Sequence, residues 1–248
     1  VLYDGFDLSP YLDISDIGRP LLPPQEVISK TIIGKDGAYF LDKRHEPIEI
    51  PVEVSFHEDL DMTYREKTRF IAGQLNKKEP KWLIFDDEPN VYIEGIVRDS
   101  TDIENLIKAG EATLNFYCPD PYYYEIEDEV FTYNSPGGYD FTRVKGNTES
   151  YPILEIKGVN YSGNIIIETD NTKITFNGNL ISGEILVFDS KLITAYIVQT
   201  DGTKRSANND IDTMDFPILV VGANHIDISV SGDASIQELR IYANSRWI

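Results

Sequence analysis

Ala112-Thr-Leu-Asn-Phe-Tyr-Cys-Pro-Asp-Pro-Tyr-Tyr-Tyr124 is the stretch whose reading decides the fold. Leu114, Phe116 and Cys118 fall on one side, Thr113, Asn115 and Tyr117 on the other, the period of a half-buried β-strand. Pro119 and Pro121 end it, because proline cannot donate to a sheet ladder and restricts the residue before it. Three tyrosines then give flat amphipathic area where the chain leaves the sheet. A strand cut off by Pro-Asp-Pro near mid-chain reads as the closing strand of a first domain.

Upstream, Pro47-Ile-Glu-Ile-Pro-Val-Glu-Val-Ser-Phe56 alternates in the same way, with Ile48, Ile50, Val52, Val54 and Phe56 inward. Val27 to Ile33 is strand-like and meets the turn Gly34-Lys35-Asp36-Gly37. The preceding Gly18–Pro24 segment is irregular and extended. Tyr64, Phe70, Ile71 and Leu75 recur at helical spacing, predicting one helix from Asp61 to about Lys77. Asp61 or Thr63 can cap it, with Glu66 three residues after Thr63 as a capping box. Trp82–Phe85, the turn Asp86-Asp-Glu-Pro-Asn90 and Val91–Val97 read as a hairpin. The expected first domain, 1–124, is α+β: antiparallel strands with one helix on a face.

Residues 125–150 are rich in Gly, Pro, Ser, Asn and Asp, which is linker chemistry. From Tyr151 short strands recur, at Ile153–Ile156, Asn164–Glu168, Lys173–Phe176, Glu184–Phe188, Ala195–Val198, Ile218–Val221, His225–Ser231 and Gln237–Tyr242. Asp-Gly, Asn-Gly and Ser-Gly turns separate them. The pattern predicts a jelly-roll-like β-sandwich over 151–248. The chain as a whole reads as mainly β.

The 248 residues carry a formal net charge of −20, concentrated at the front: 30 acids against 15 bases in residues 1–150, and 12 against 7 afterwards. Affinity for nucleic acid or anionic lipid comes from Lys and Arg near phosphates, so neither specific nucleic-acid binding nor membrane binding is expected. No charged-then-apolar segment opens the sequence, and no apolar run approaches the roughly 18 residues of a membrane span. Cys118 is the single cysteine, which rules out an intrachain disulfide and points to packing as a small hydrophobe.

Chemistry-bearing motifs are missing. His45, His57 and His225 lie in unrelated contexts, without the spacing of a metal site. Asp86-Asp87-Glu88 and Asp59-Leu-Asp61 are tight carboxylate clusters, the first in a hairpin turn and the second at a helix start, where acids suit the dipole. No nucleophile elbow, phosphate loop or dinucleotide fingerprint occurs. The expectation is no enzyme, no metal and no cofactor. A carbohydrate-binding adhesion module contacting a host cell surface is the main alternative, with Tyr161, Tyr196 and Trp247 as candidate sugar contacts; strand-face packing is the favoured role for these rings. A glycan-cleaving enzyme, which would need a close carboxylate pair, ranks third.

Several motifs, in order, resemble the distal tail protein (Dit) family of long, non-contractile-tailed phages or prophages of Gram-positive bacteria. Tyr3-Asp-Gly-Phe-Asp-Leu-Ser-Pro-Tyr11 is similar to that family's opening, and Gly34-Lys-Asp-Gly37 to its Gly-x-Asp-Gly turn. Phe85-Asp-Asp-Glu-Pro89, Tyr92-Ile-Glu-Gly95 and Leu114-Asn-Phe-Tyr-Cys-Pro-Asp-Pro121 follow in register. Asp215–Asn224 and Ile241–Arg246 match more loosely.

The resemblance implies a homohexameric ring, formed alone or only with partners, at the distal end of a tail tube. Its N-terminal domains would form the ring, joining the tube protein to a tail-associated lysin or other tail-tip protein. The second domain would be the family's galectin-like sandwich, projecting outward and able to hold a receptor-binding protein. It also implies a place at the virion tail tip after assembly in the host cytoplasm. A ring that passes DNA should repel it, so Asp36, Asp42, Glu46, Glu58, Asp59, Asp86, Asp87 and Glu88 are expected to line or flank the lumen. Ring closure needs two different matching patches; the candidates are Gly34, Lys35, Asp36 and Gly37 with Gly18 and Arg19. Pairing of sheet edges between subunits is one way to build such a contact.

Overall fold

A computed structural model of the chain describes residues 1–56, 62–98 and 111–248. Backbone contacts divide it into two compact units, Val1–Tyr123 with Ile248, and Tyr124–Trp247. The protein is mainly β, with one α-helix among the described residues.

The first unit contains β1 (Leu2–Tyr3), β2 (Phe6–Asp7), β3 (Leu12–Ile17), β4 (Gln25–Thr31), β5 (Ala38–His45), β6 (Ile48–Phe56), α1 (Tyr64–Leu75), β7 (Lys81–Ile84), β8 (Val91–Arg98) and β9 (Glu111–Cys118). Its main sheet runs β2-β1-β7-β8-β9-β6-β3, antiparallel at every step. The two alternating stretches lie side by side: Ile48 pairs with Cys118, Ile50 with Phe116 and Val52 with Leu114. All six side chains are buried, because matched period-2 patterns in this register put both apolar sets on one face. Ring contacts add to this core, Tyr3 meeting Phe116 edge-on at 5.2 Å.

The helix is shorter than its periodicity predicts. Thr63 caps it, Glu66 completing the box by accepting from the Thr63 N–H at 2.9 Å. The alternative cap, Asp61, lies outside the described residues. Ile71 and Leu75 enter the same core as β6 and β9, and Phe70 packs on Phe6 and Tyr11. Tyr64, expected on the apolar stripe, is exposed.

The second unit contains β10 (Tyr123–Glu125), β11 (Val130–Tyr133), β12 (Gly137–Arg143), β13 (Ile153–Val159), β14 (Asn164–Thr169), β15 (Lys173–Phe176), β16 (Ile185–Asp189), β17 (Thr194–Val198), β18 (Lys204–Ser206), β19 (Gly222–Ser231), β20 (Ser235–Tyr242) and β21 (Arg246–Trp247). One sheet runs β11-β20-β13-β16-β17-β18 and the other β12-β19-β14-β15. A single core of residues from both, including Phe141, Ile156, Ile167, Phe176, Phe188 and Ile228, makes this a β-sandwich.

Two expectations fail here. Residues 125–150 are not a free linker: β11 pairs with β20 and β12 with β19, so the stretch supplies a strand to each sheet. Its turn-rich composition marks the corner where the chain crosses from one sheet to the other, and the loop after β12. In that loop the Glu129 carboxylate accepts from the backbone N–H groups of Val144 and Lys145. Second, Ile218–Val221 is extended but joins no sheet as a strand. Its backbone is held by an isolated bridge between Leu219 and Ser150 and by side chains, Arg143 Nε and Asn224 Nδ2 both donating to Val220 O.

Candidate functional site

The β4–β5 hairpin has no counterpart in the rest of the first unit. It forms a two-stranded sheet of its own, with a bulge at Ile28/Ser29. Neither of its outer edges pairs with another strand among the described residues. β5 is exposed along its length up to Arg44. The apolar residues Val27, Ile32, Ile33, Tyr39, Phe40 and Leu41 all face solvent, Phe40 at 65% and Leu41 at 59%, and Leu21 and Leu22 before the hairpin are exposed as well. Tyr39 and Phe40 alternate faces along β5, so apolar side chains are exposed on both sides of the hairpin, and open strand edges can template pairing with another chain.

The tip turn is built by its glycines: Gly34 and Gly37 both have φ +83°, a backbone region that side chains other than glycine's rarely adopt. Lys35 folds across the turn, its Nζ donating to the Tyr39 hydroxyl at 2.5 Å and lying over that ring. Four sequence candidates, Gly34, Lys35, Asp36 and Gly37, are therefore gathered at one exposed tip.

Gly18 and Arg19 are placed differently. A Cβ at Gly18 would meet Pro51 Cγ at 2.6 Å, so this glycine allows close packing of the entering chain on β6. Arg19 is held by Asp87 and by Glu88 at 2.7 Å, with its guanidinium over the Phe85 ring. Burial works against the Arg19 charge, but the hydrogen bond to Asp87 and the nearby carboxylates outweigh it and raise its pKa further above the usual value. The pair clamps the segment before the hairpin to the Asp86–Pro89 turn.

That clamp changes the picture of the acidic candidates. Asp87 and Glu88 face Arg19, and Asp86 accepts from the Val1 amino group at 2.9 Å. Asp42 lies 3.8 Å from Arg44. Glu46 has no ion-pair partner among the described residues, and Glu58 and Asp59 lie outside them, as does His57. Beside Glu46 opens a groove of about 530 Å³, lined by Pro20, Pro24, Pro47, Ile48 and Tyr117, with Glu46, Glu49 and Arg98 at its polar positions. Arg98 donates to Glu49 at 2.9 Å.

No group of three or more His, Cys, Asp or Glu able to hold a metal occurs among the described residues. Burial pushes the Cys118 thiol up to about 12, far from a reactive thiolate. The three candidate sugar contacts have separate surroundings. Tyr161 is exposed in the loop after β13, Tyr196 lies under Lys204 on β17, and Trp247 donates to Glu125 at 2.8 Å. No ring contact joins them.

The sequence reading missed β5, and with it the apolar hairpin. One signal was available: Tyr39-Phe-Leu41 is a run of three large apolar residues with no polar alternate, which a half-buried strand does not need.

Residues 6–118 match the family model of the phage tail protein RIFT-related domain. The distal tail protein of Bacillus phage SPP1 is 23% identical over 212 residues, covering 75% of this chain and 83% of that protein. A crystal structure of the SPP1 Dit protein, described as a paradigm of the hub adsorption apparatus in phages infecting Gram-positive bacteria, has a TM-score of 0.74 at 14% identity, covering 100% of this chain and 98% of that one. A chain of the phage p2 baseplate in its activated conformation has a TM-score of 0.50 at 13% identity, covering 97% and 94%. Domain match, relative and fold agree: residues 6–118 carry the phage tail protein RIFT-related domain, and the chain is similar over most of its length to a distal tail protein (Dit).

Proposed function

We propose that this protein is the structural hub of a phage tail tip: a hexameric ring that joins the tail tube to tail-tip, baseplate and receptor-binding proteins, lets DNA pass and performs no catalysis. The observation that carries the reading is the β4–β5 hairpin, an apolar arm exposed on both faces and open at both edges. Such an arm is a liability in a protein that acts alone and a docking element in one that assembles. Ring closure requires a heterologous contact, and an arm that differs chemically from the surface it meets supplies one half of it.

The acidity of the first 150 residues supports a DNA-repelling passage. Within that reading Asp87 and Glu88 are the weaker lumen candidates, because Arg19 offsets them locally. The N-terminal unit, placed at 1–124 by the strand end, would build the ring, and the sandwich would carry the outer partners. Assembly would take place in the host cytoplasm. Against the sugar-binding alternative stands the separation of Tyr161, Tyr196 and Trp247.

Light scattering and negative-stain imaging test the proposal. Rings with a mass near six times 28.1 kDa are expected. A monomer at every concentration, with measurable glycan affinity, would overturn the reading in favour of the adhesion module.

A further inference from the structure

The arm and the groove differ in charge and in place. Residues 25–45, which make up the hairpin, carry four bases and three acids, whereas the remainder of residues 1–123 carries 9 bases and 21 acids. A net-positive apolar arm thus projects from a strongly acidic body. Its tip presents Ile32 and a fully exposed Ile33 beside Lys35. The groove has a complementary lining of Pro20, Pro24, Pro47 and Tyr117, with Glu46 unpaired at its rim.

Groove and tip lie at opposite ends of the same hairpin. Pro24 and Glu46 flank its base, where Glu46 N–H donates to Pro24 O at 2.8 Å, and the ladder then runs from Gln25↔His45 to Thr31↔Ala38. Seven residues of strand span roughly 20 Å, so a chain's tip is held away from its own groove.

Building on the proposed ring, we infer that the arm of one copy seats Ile32 and Ile33 in the Pro20–Pro24–Pro47–Tyr117 groove of the next copy, with Lys35 meeting Glu46. The second copy is the occupant that fits both the charge contrast and the spacing. Each molecule offers one knob and one hole at different places, so every contact leaves a free half on either side, the head-to-tail geometry that the proposed ring requires. The salt link gives the contact an ionic-strength dependence that a purely apolar one lacks.

Two experiments on the full-length protein decide it. In an Asp36→Cys/Pro47→Cys double variant treated with a short bis-maleimide, denaturing gels should show a covalent ladder extending beyond the dimer. Mixing the two single variants should stop at dimers. Buried Cys118 serves as the unreactive control. Lys35→Glu should weaken association roughly tenfold at low salt, and adding Glu46→Lys to the same chain should restore it. Particles of ring mass without a ladder or rescue would overturn the arm-in-groove contact and leave the ring standing. A chain that stays monomeric at every concentration and salt would overturn the arm-in-groove contact, and measurable glycan affinity of that monomer would overturn the ring as well.

Discussion

Two strand pairs of the first unit draw on the same residue types and use them in opposite ways. β6 and β9 alternate strictly, and their register places Ile48, Ile50, Val52, Leu114, Phe116 and Cys118 on one sealed face. β4 and β5 also carry apolar residues, yet among the described residues no strand pairs with their outer edges, and Val27, Tyr39, Phe40 and Leu41 are exposed. The difference teaches that apolar strand residues are sealed where register brings matching sides together on a covered face, and stay exposed where no such face meets them. Under the proposed function, that exposure is what a neighbouring copy covers.

The comparison predicts unequal costs of truncation. Phe116→Ala should be the most damaging, lowering folding stability by about 4 kcal/mol in denaturant melts, since it opens a cavity among fully packed neighbours. A loss under about 1 kcal/mol would mean that this face is not sealed. Thr63→Ala should cost about 1 kcal/mol, because the hydroxyl accepts from Glu66 N–H at the start of the helix whose Ile71 and Leu75 close that core. No measurable change would detach the helix from the sealed side of the comparison.

A smaller effect belongs to a third kind of exposed strand pair, solvated and polar. On β12 and β19 His225 Nδ1 lies 2.7 Å from Asp140, and this hydrogen bond raises the imidazole pKa above its usual 6.5. A raised folded-state value means that the interaction stabilises fully below about 6.5 and fades as pH rises through the shifted pKa. An NMR titration should show the shift, and Asp140→Asn should move it down; an unchanged midpoint would contradict the pairing. Least of all should the folded unit notice the arm. Phe40→Ser with Leu41→Ser is expected to alter melting of the monomer by less than about 0.5 kcal/mol while weakening self-association. A large loss of stability would show that the arm packs at home after all.

The alternating stretches 48–56 and 112–118 were readable as strands because one period explains every residue in them; that they pair with each other appears only in the structure. The helix was readable from its spacing and its capping box. Residues 38–45 and 125–150 were not: β5 is exposed on both faces, so burial writes no period of two into it, and the short strands β11 and β12 sit among turn residues that mask them. Gly34–Gly37 was legible as a turn through its glycines. That Arg19 is a clamp rather than a contact was not, because Asp87 and Glu88 lie far along the chain and meet it through folding alone.

The most direct test of the arm as the assembling element is the mass of the particle formed by the wild-type chain and by Ile32→Asp/Ile33→Asp, measured side by side by sedimentation at the same concentration and low salt. Rings near six times 28.1 kDa for the wild type and a folded monomer for the variant are the predicted result. Equal masses for the two chains would contradict it.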